Sequence, residues 1–246
     1  MPNNLKTFLR FSVFFAVLTL VFGNLHAVPN KKSVLVFSLT KGFRHDSIEE
    51  GINALKKLGA NNNFEIDATE DVNAFTNDNL KKYALIIFLN PTGSNLFSEE
   101  QKSAFKQYIN NGGGFLGVHA ATDCNYEWEW YGKLVGGYFA SHPKIQKAKL
   151  DIVQPKHKII RGLPNPWMHE DEWYNFKSFN KSVNVLIKVD ETSYQGGTMK
   201  NDHPISWFHE YDGGKVFYTA LGHTKACYTD ANFLKHLLSG IKWAMK

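Results

Sequence analysis

A chain of 246 residues, 43% hydrophobic and 14% aromatic, suits one large core better than two small ones. Its formal charge of +5 falls to +3 once Lys6 and Arg10 are set aside, and the Lys pairs at 31–32, 56–57 and 81–82 are scattered, so no nucleic-acid partner is expected. Cys124 and Cys227 are too few for a disulfide scaffold or a cysteine-rich metal site; in an oxidising compartment they make one disulfide or remain two buried thiols.

The first 27 residues read as a secretory signal peptide. Lys6 and Arg10 precede the apolar run from Phe11 to Phe22, and Leu25-His26-Ala27 forms a small-residue exit. An uncleaved anchor competes with this reading, but the run is shorter than the ~20 apolar residues of a spanning helix. The expectation is an exported, periplasmic or extracellular protein with no stable membrane anchor after cleavage, residues 28–246 forming a single domain.

Ser33 to Leu39 is an apolar, β-branched run and predicts the first strand. After the loop Thr40-Lys41-Gly42-Phe43-Arg44-His45, either Asp46 or Ser47 caps a helix carrying Ile48, Ile52, Leu55 and Leu58 at helical spacing until Gly59. Phe64 to Thr69 alternates as a short strand, Asp78 to Lys82 makes a helical turn, and Tyr83 to Leu89 is a buried strand. Ser98 and Gln101 form a capping box for a helix that ends at Gly112. A Gly-rich strand then stops on His119. Strands alternating with helices in this order imply a parallel sheet with right-handed crossovers.

Beyond residue 122 the pattern changes. Asn125 to Tyr131 is aromatic and acidic, serving either as packing over the sheet or as a sugar-stacking surface, and leads into a helix through Leu134 and Val135. Lys147 to Val153 and Asn184 to Val189 read as strands. Ile205 to His209 and Lys215 to Leu221 form a hairpin across Tyr211-Asp212-Gly213-Gly214. Asp230 opens a last helix with Phe233, Leu237, Ile241 and Met245 on its buried side. The fold class is α/β: an open, mostly parallel sheet flanked by helices, with an added antiparallel hairpin.

In such a sheet ligands bind outside the carboxyl ends of the strands. His45, His119 and His223 each follow an apolar strand, so neighbouring strands would bring the three imidazoles to one crevice. His142 and His203 each precede proline and serve as turn residues or as ligand contacts. Glu170, Asp171 and Glu172 adjoin Trp173 and Tyr174, and one of them, Glu172 or Glu170, is expected to point inward. Imidazole and carboxylate suit general acid–base work near neutral pH. They also suit a divalent ion such as zinc, nickel or manganese, although no HExxH spacing is present and no cofactor is fixed by the pattern. The absence of a GxGxxG or P-loop glycine pattern argues against nucleotide cofactors.

Seven segments, in order, resemble the ThuA-like (trehalose utilisation) family, which has the class I glutamine amidotransferase-like, flavodoxin-like fold. They are Lys41-Gly42-Phe43-Arg44-His45, the run from Gly112 to His119, Trp130-Tyr131, Ser141-His142-Pro143, the run from His169 to Tyr174, His203-Pro204-Ile205-Ser206-Trp207, and the run from Gly214 to His223. The resemblance places His119 where the amidotransferases keep their nucleophilic Cys, so glutamine hydrolysis is not implied. It implies a carbohydrate ligand. The resulting expectation is an enzyme acting on a sugar or keto-disaccharide with His119, His45, His223 and Glu172 as acid–base groups. Arg44, Asp123, His142, Glu170, Trp173, Tyr174, His203 and Trp207 are the expected substrate contacts. A non-catalytic carbohydrate-binding module and a metal-dependent hydrolase are the alternatives.

Overall fold

The computed structural model describes residues 31–245; the leader expected over residues 1–27 lies outside them. In chain order the first half runs β1 (Lys32–Phe37), α1 (Ile48–Asn62), β2 (Phe64–Thr69), α2 (Asn77–Leu80), β3 (Tyr83–Leu89), α3 (Glu99–Asn110) and β4 (Gly114–Val118). The second half runs α4 (Glu129–Val135), β5 (Tyr138–Ser141), β6 (Gln146–Ile152), β7 (Trp167–Asp171), β8 (Asn175–Lys177), β9 (Asn184–Val189), β10 (Pro204–Tyr211), β11 (Gly214–Thr219) and α5 (Ala231–Ala244). Among the described residues no helix is long and apolar enough to cross a membrane.

The main sheet has nine strands in the order β2-β1-β3-β4-β11-β10-β9-β6-β7, and β5 pairs with β8 in a separate antiparallel ribbon. From β2 to β11 every pairing is parallel. From β11 to β7 every pairing is antiparallel. The expected hairpin is therefore the first step of a four-strand antiparallel extension. Its β10–β11 turn places Asp212 and Gly213 at φ of 51° and 93°, the left-handed pair that matches strand twist in a two-residue loop.

The inner strands β1, β3 and β4 of the parallel half are buried on both faces, which is why they read as unbroken apolar runs, whereas the edge strand β2 is largely exposed. On one face Phe88 and Phe115 meet Phe105 of α3 and Tyr131 of α4. On the other, α5 lies against β4 and β11, where His236 meets Phe217 edge-on. The capping box of Ser98 and Gln101 forms as expected, and Asp230 caps α5 through the Phe233 N–H. Met245 falls just past the end of α5 and is only partly buried.

Candidate active site at the carboxyl ends of the parallel strands

β1, β4 and β11 end on the same side of the sheet, and the segments after them carry His45, His119 and His223. His119 takes a left-handed backbone (φ 44°), which histidine tolerates better than branched residues. Its carbonyl accepts hydrogen bonds from the hydroxyls of Tyr218 (2.8 Å) and Thr122 (3.3 Å), which hold the turn. Gly222, at φ 114°, sets up the turn into His223; a Cβ there would come within 2.9 Å of Val118 and Tyr228. The Gly222 carbonyl accepts from Ser47 (3.3 Å), Asn90 (3.2 Å) and Tyr228 (3.1 Å). Ser47 starts α1 without a side-chain capping bond, because its hydroxyl serves this anchor.

The carboxylates come from the far edge of the sheet. β7 alternates, with Trp167, His169 and Asp171 inward and Met168 and Glu170 outward. Asp171 is fully buried and accepts N–H groups from Glu172 (3.0 Å), Gly222 (2.7 Å) and His223 (3.2 Å), together with the Cys227 thiol (3.2 Å). It thus fastens the His223 turn to the segment that carries Glu172. Sequence reasoning assigned Asp171 no role. Cys124 and Cys227 are both free and buried, which leaves the thiol alternative and not the disulfide.

Three donor atoms meet at the centre. His223 Nδ1 lies 3.1 Å from both His119 Nε2 and Glu172 Oε2, and the latter two are 3.5 Å apart. His119 Nδ1 sits 2.7 Å from the Ala220 carbonyl. That bond puts Nδ1–H on the backbone, so the neutral tautomer of the ring turns its Nε2 lone pair to the cluster. The rings of His45, His119 and His223 stand 5.0 Å apart in each pairing. Tyr174 lies over the His119 ring at 4.0 Å and His142 Nδ1 reaches Glu172 Oε1 at 2.9 Å.

Burial, reinforced by repulsion from His119 and His223, pushes His45 down to about 2. Burial alone would disfavour charge on Glu172, but the His119 and His223 imidazoles beside it outweigh burial and hold the carboxyl well below the ordinary range. The same pairing overcomes burial at His223 and raises it. Beside the cluster a cleft of about 510 Å³ opens, lined by His45 and His223 together with Phe43, Ile145 and Lys225. Phe43 is 66% exposed and meets His45 edge-on at 5.0 Å.

The structure brings together all four expected acid–base residues, and His142 joins them. The remaining expected contacts divide. Glu170 is a correction: strand alternation turns it to solvent, away from His169 and Asp171. Trp207 is another, because its ring is fully buried, stacked on Tyr218 at 4.2 Å, with its indole N–H on the Val135 carbonyl. Trp173 is likewise a core residue, its N–H on the Gln146 carbonyl. Tyr174 is buried and reaches the site only by covering His119. His203 is buried behind Tyr174, bonded to the Tyr174 carbonyl at 2.8 Å and to Glu191 at 3.0 Å, so it supports the site from outside. Arg44 lies at the cleft rim but is engaged by Glu49 and Glu70 at 2.7 and 2.9 Å. Asp123 is partly buried and takes the Tyr126 hydroxyl; burial raises it above its usual range. The aromatic stripe packs away from the histidines, Trp128 stacking on Trp130 and Tyr131.

Fold and site together define a doubly wound, glutamine-amidotransferase-like α/β protein with a histidine–carboxylate centre in its ligand crevice. The chain belongs to the ThuA (trehalose utilisation) family, whose model matches residues 33–244, and this gives it a carbohydrate-related role. It is similar to a ThuA-like protein from Bacteroides uniformis, with 25% identity, a TM-score of 0.74, and coverage of 90% of this chain and 94% of that one. A ThuA-like protein from Parabacteroides merdae is 20% identical with a TM-score of 0.72, covering 87% and 89%. A cytoplasmic protein from Salmonella typhimurium, 14% identical with a TM-score of 0.63 over 87% and 99%, shares the fold alone. No curated protein sequence matches the chain.

Proposed function

We propose that the chain is an exported carbohydrate-catabolic enzyme that acts on a keto-disaccharide by moving a proton at the carbon next to its carbonyl. The observation that carries this reading is the meeting of His119 Nε2, His223 Nδ1 and Glu172 Oε2 within 3.5 Å, next to an open cleft that His45 and His223 line. Hydrolysis of an unmodified glycoside ordinarily uses two carboxyl groups flanking the bond. Here the central cluster holds one carboxylate, Glu172, among three imidazoles. Imidazoles are suited instead to taking a carbon-bound proton that a neighbouring carbonyl has made acidic.

In this reading the His119 lone pair removes the proton and the electron pair moves into the carbonyl as an enolate. The adjacent His223, whose proton affinity Glu172 raises, returns a proton either to the ring or to a departing glycosidic oxygen. Phe43 offers an exposed apolar face at the rim for a second sugar ring. The test is turnover of a panel of disaccharides and their keto derivatives. His119→Asn, which keeps a residue tolerant of the left-handed backbone, is expected to lower turnover by about 10²–10⁴-fold with sugar binding retained. Sugar binding without turnover by the unaltered chain would favour a carbohydrate-binding module and overturn the catalytic reading.

A further inference from the structure

We infer that His45, His119, His223 and Glu172 form a site for one divalent first-row transition ion of the zinc or nickel type. The inference rests on the proton-transfer reading of this centre and deepens it: a cation there would supply a Lewis acid beside the sugar carbonyl. It would also take the Nε2 lone pair of His119, so that in the loaded site the proton passes instead to a group outside the four ligands, the half-exposed His142 beside Glu172.

Four observations carry it. First, the separations of 3.1, 3.1 and 3.5 Å among His119 Nε2, His223 Nδ1 and Glu172 Oε2 bracket the value for neighbouring ligands of a tetrahedral ion. Bonds of about 2.0–2.1 Å to such an ion place neighbouring donors about 3.3–3.4 Å apart. Second, His119 gives its Nδ1–H to the Ala220 carbonyl at 2.7 Å, the outer contact that orients a metal-binding imidazole. Third, His45 is only 3% exposed and its Nδ1 has no hydrogen-bond partner among the described residues. One of its ring nitrogens lies within 4.8 Å of all three other donors. A shared proton among His119, His223 and Glu172 would explain their contacts but leaves His45 unexplained; an ion accounts for all four. Fourth, the set carries one carboxylate, and among the described residues the ion pairs that reach it come from histidines, not from lysine or arginine. Three imidazoles and one carboxylate favour zinc, nickel or copper over magnesium or calcium.

A second group, His169, Asp171 and Cys227, also lies close together. Asp171 there already accepts three backbone N–H groups and a thiol, so its lone pairs are committed to the loop clamp.

The experiment strips the full chain with a chelator and titrates it with Zn²⁺ by calorimetry and with Co²⁺ by visible absorption. The expected result is one equivalent bound, with cobalt ligand-field bands and no sulfur-to-metal charge transfer. His119→Asn and Glu172→Gln are each expected to weaken Zn²⁺ binding by more than about 100-fold, beyond the 10–100-fold range of an outer-shell contact. Cys227→Ser should leave binding unchanged. A thiolate charge-transfer band, no saturable binding, or unchanged affinity in His119→Asn overturns the inference. The cobalt spectrum of the unaltered chain keeps the test valid if a variant misfolds. Turnover of a keto-disaccharide by a chain that binds no metal overturns the ion and leaves proton transfer. Tight metal binding without turnover does the reverse.

Discussion

The two halves of the main sheet do different work, and the contrast explains how the site is assembled. In the inner strands of the parallel half, both faces are covered, so functional polar side chains emerge where a strand stops; that is how His45, His119 and His223 converge. In the antiparallel half, strands such as β7 alternate between buried and exposed residues, so a polar group can enter from within a strand. Asp171 does so, and it brings Glu172 to the imidazoles. The parallel half positions the imidazole nitrogens. The antiparallel half supplies the negative charge and the clamp.

The largest expected effect separates fold from site within the antiparallel half. Trp207 on β10 is fully buried against Tyr218, Phe176 and Phe179. Trp207→Ala should therefore cost about 3–5 kcal/mol, read from urea unfolding. Folded Trp207→Ala protein should bind sugar as before. Loss of sugar binding at unchanged stability would return Trp207 to the ligand site and break the division. Asp171→Asn comes next, because it replaces a buried acceptor of four hydrogen bonds with an amide whose NH₂ opposes N–H donors. A loss of about 3 kcal/mol is expected, near the upper value for a bond to a charged group. It should also lower turnover by freeing the His223 turn. Full activity in Asp171→Asn would show that the clamp is dispensable.

Histidines away from the mouth sharpen the contrast through pH. Burial pushes His209 on β10 and His236 on α5 down to about 4. Each is depressed in the folded chain, so the unfolded chain binds more protons between pH 6.5 and pH 4. Stability is then complete above about pH 6.5 and falls as the pH drops through that window. At pH 5 each contributes a loss of about 2 kcal/mol, at 1.36 kcal/mol per unit. The check compares urea midpoints at pH 7 and pH 5 for the parent chain and His236→Gln. The variant should show the smaller decrease; equal decreases would mean that His236 is not held neutral.

The same contrast governs what could be read from the sequence. Continuous apolar runs ending on histidine are legible, because a parallel strand's burial is written into successive residues, and His45, His119 and His223 were found that way. Strand β7 was not legible as a strand: its inward positions after Trp167 are His169 and Asp171, so the usual apolar alternation is missing. Without that parity, Glu170 and Glu172 could not be told apart. Trp173 and Trp207 were expected at the ligand because they lie in polar motifs; strand parity and sheet order, which are long-range properties, put them in the core instead. Phe43 escaped notice because one aromatic residue in a loop gives no periodic signal.

Phe43 supplies the smallest and most selective prediction. It follows β1 in the parallel half, is 66% exposed and stands over His45 at the cleft rim, so its ring contributes little to the folded core. Phe43→Ala should change stability by less than about 0.5 kcal/mol, as expected for a surface position. Losing one aromatic face should cost about 1.4 kcal/mol of sugar affinity, roughly a tenfold rise in Kd. Trp207→Ala should have the opposite profile, large in stability and silent in affinity. Equilibrium binding and urea unfolding on both variants decide the matter, because a rim aromatic and a core aromatic cannot exchange these profiles. If Phe43→Ala bound sugar as the parent does, the exposed ring would have no ligand to explain it, and the sugar would have to enter the cleft from the Ile145 and Lys225 side.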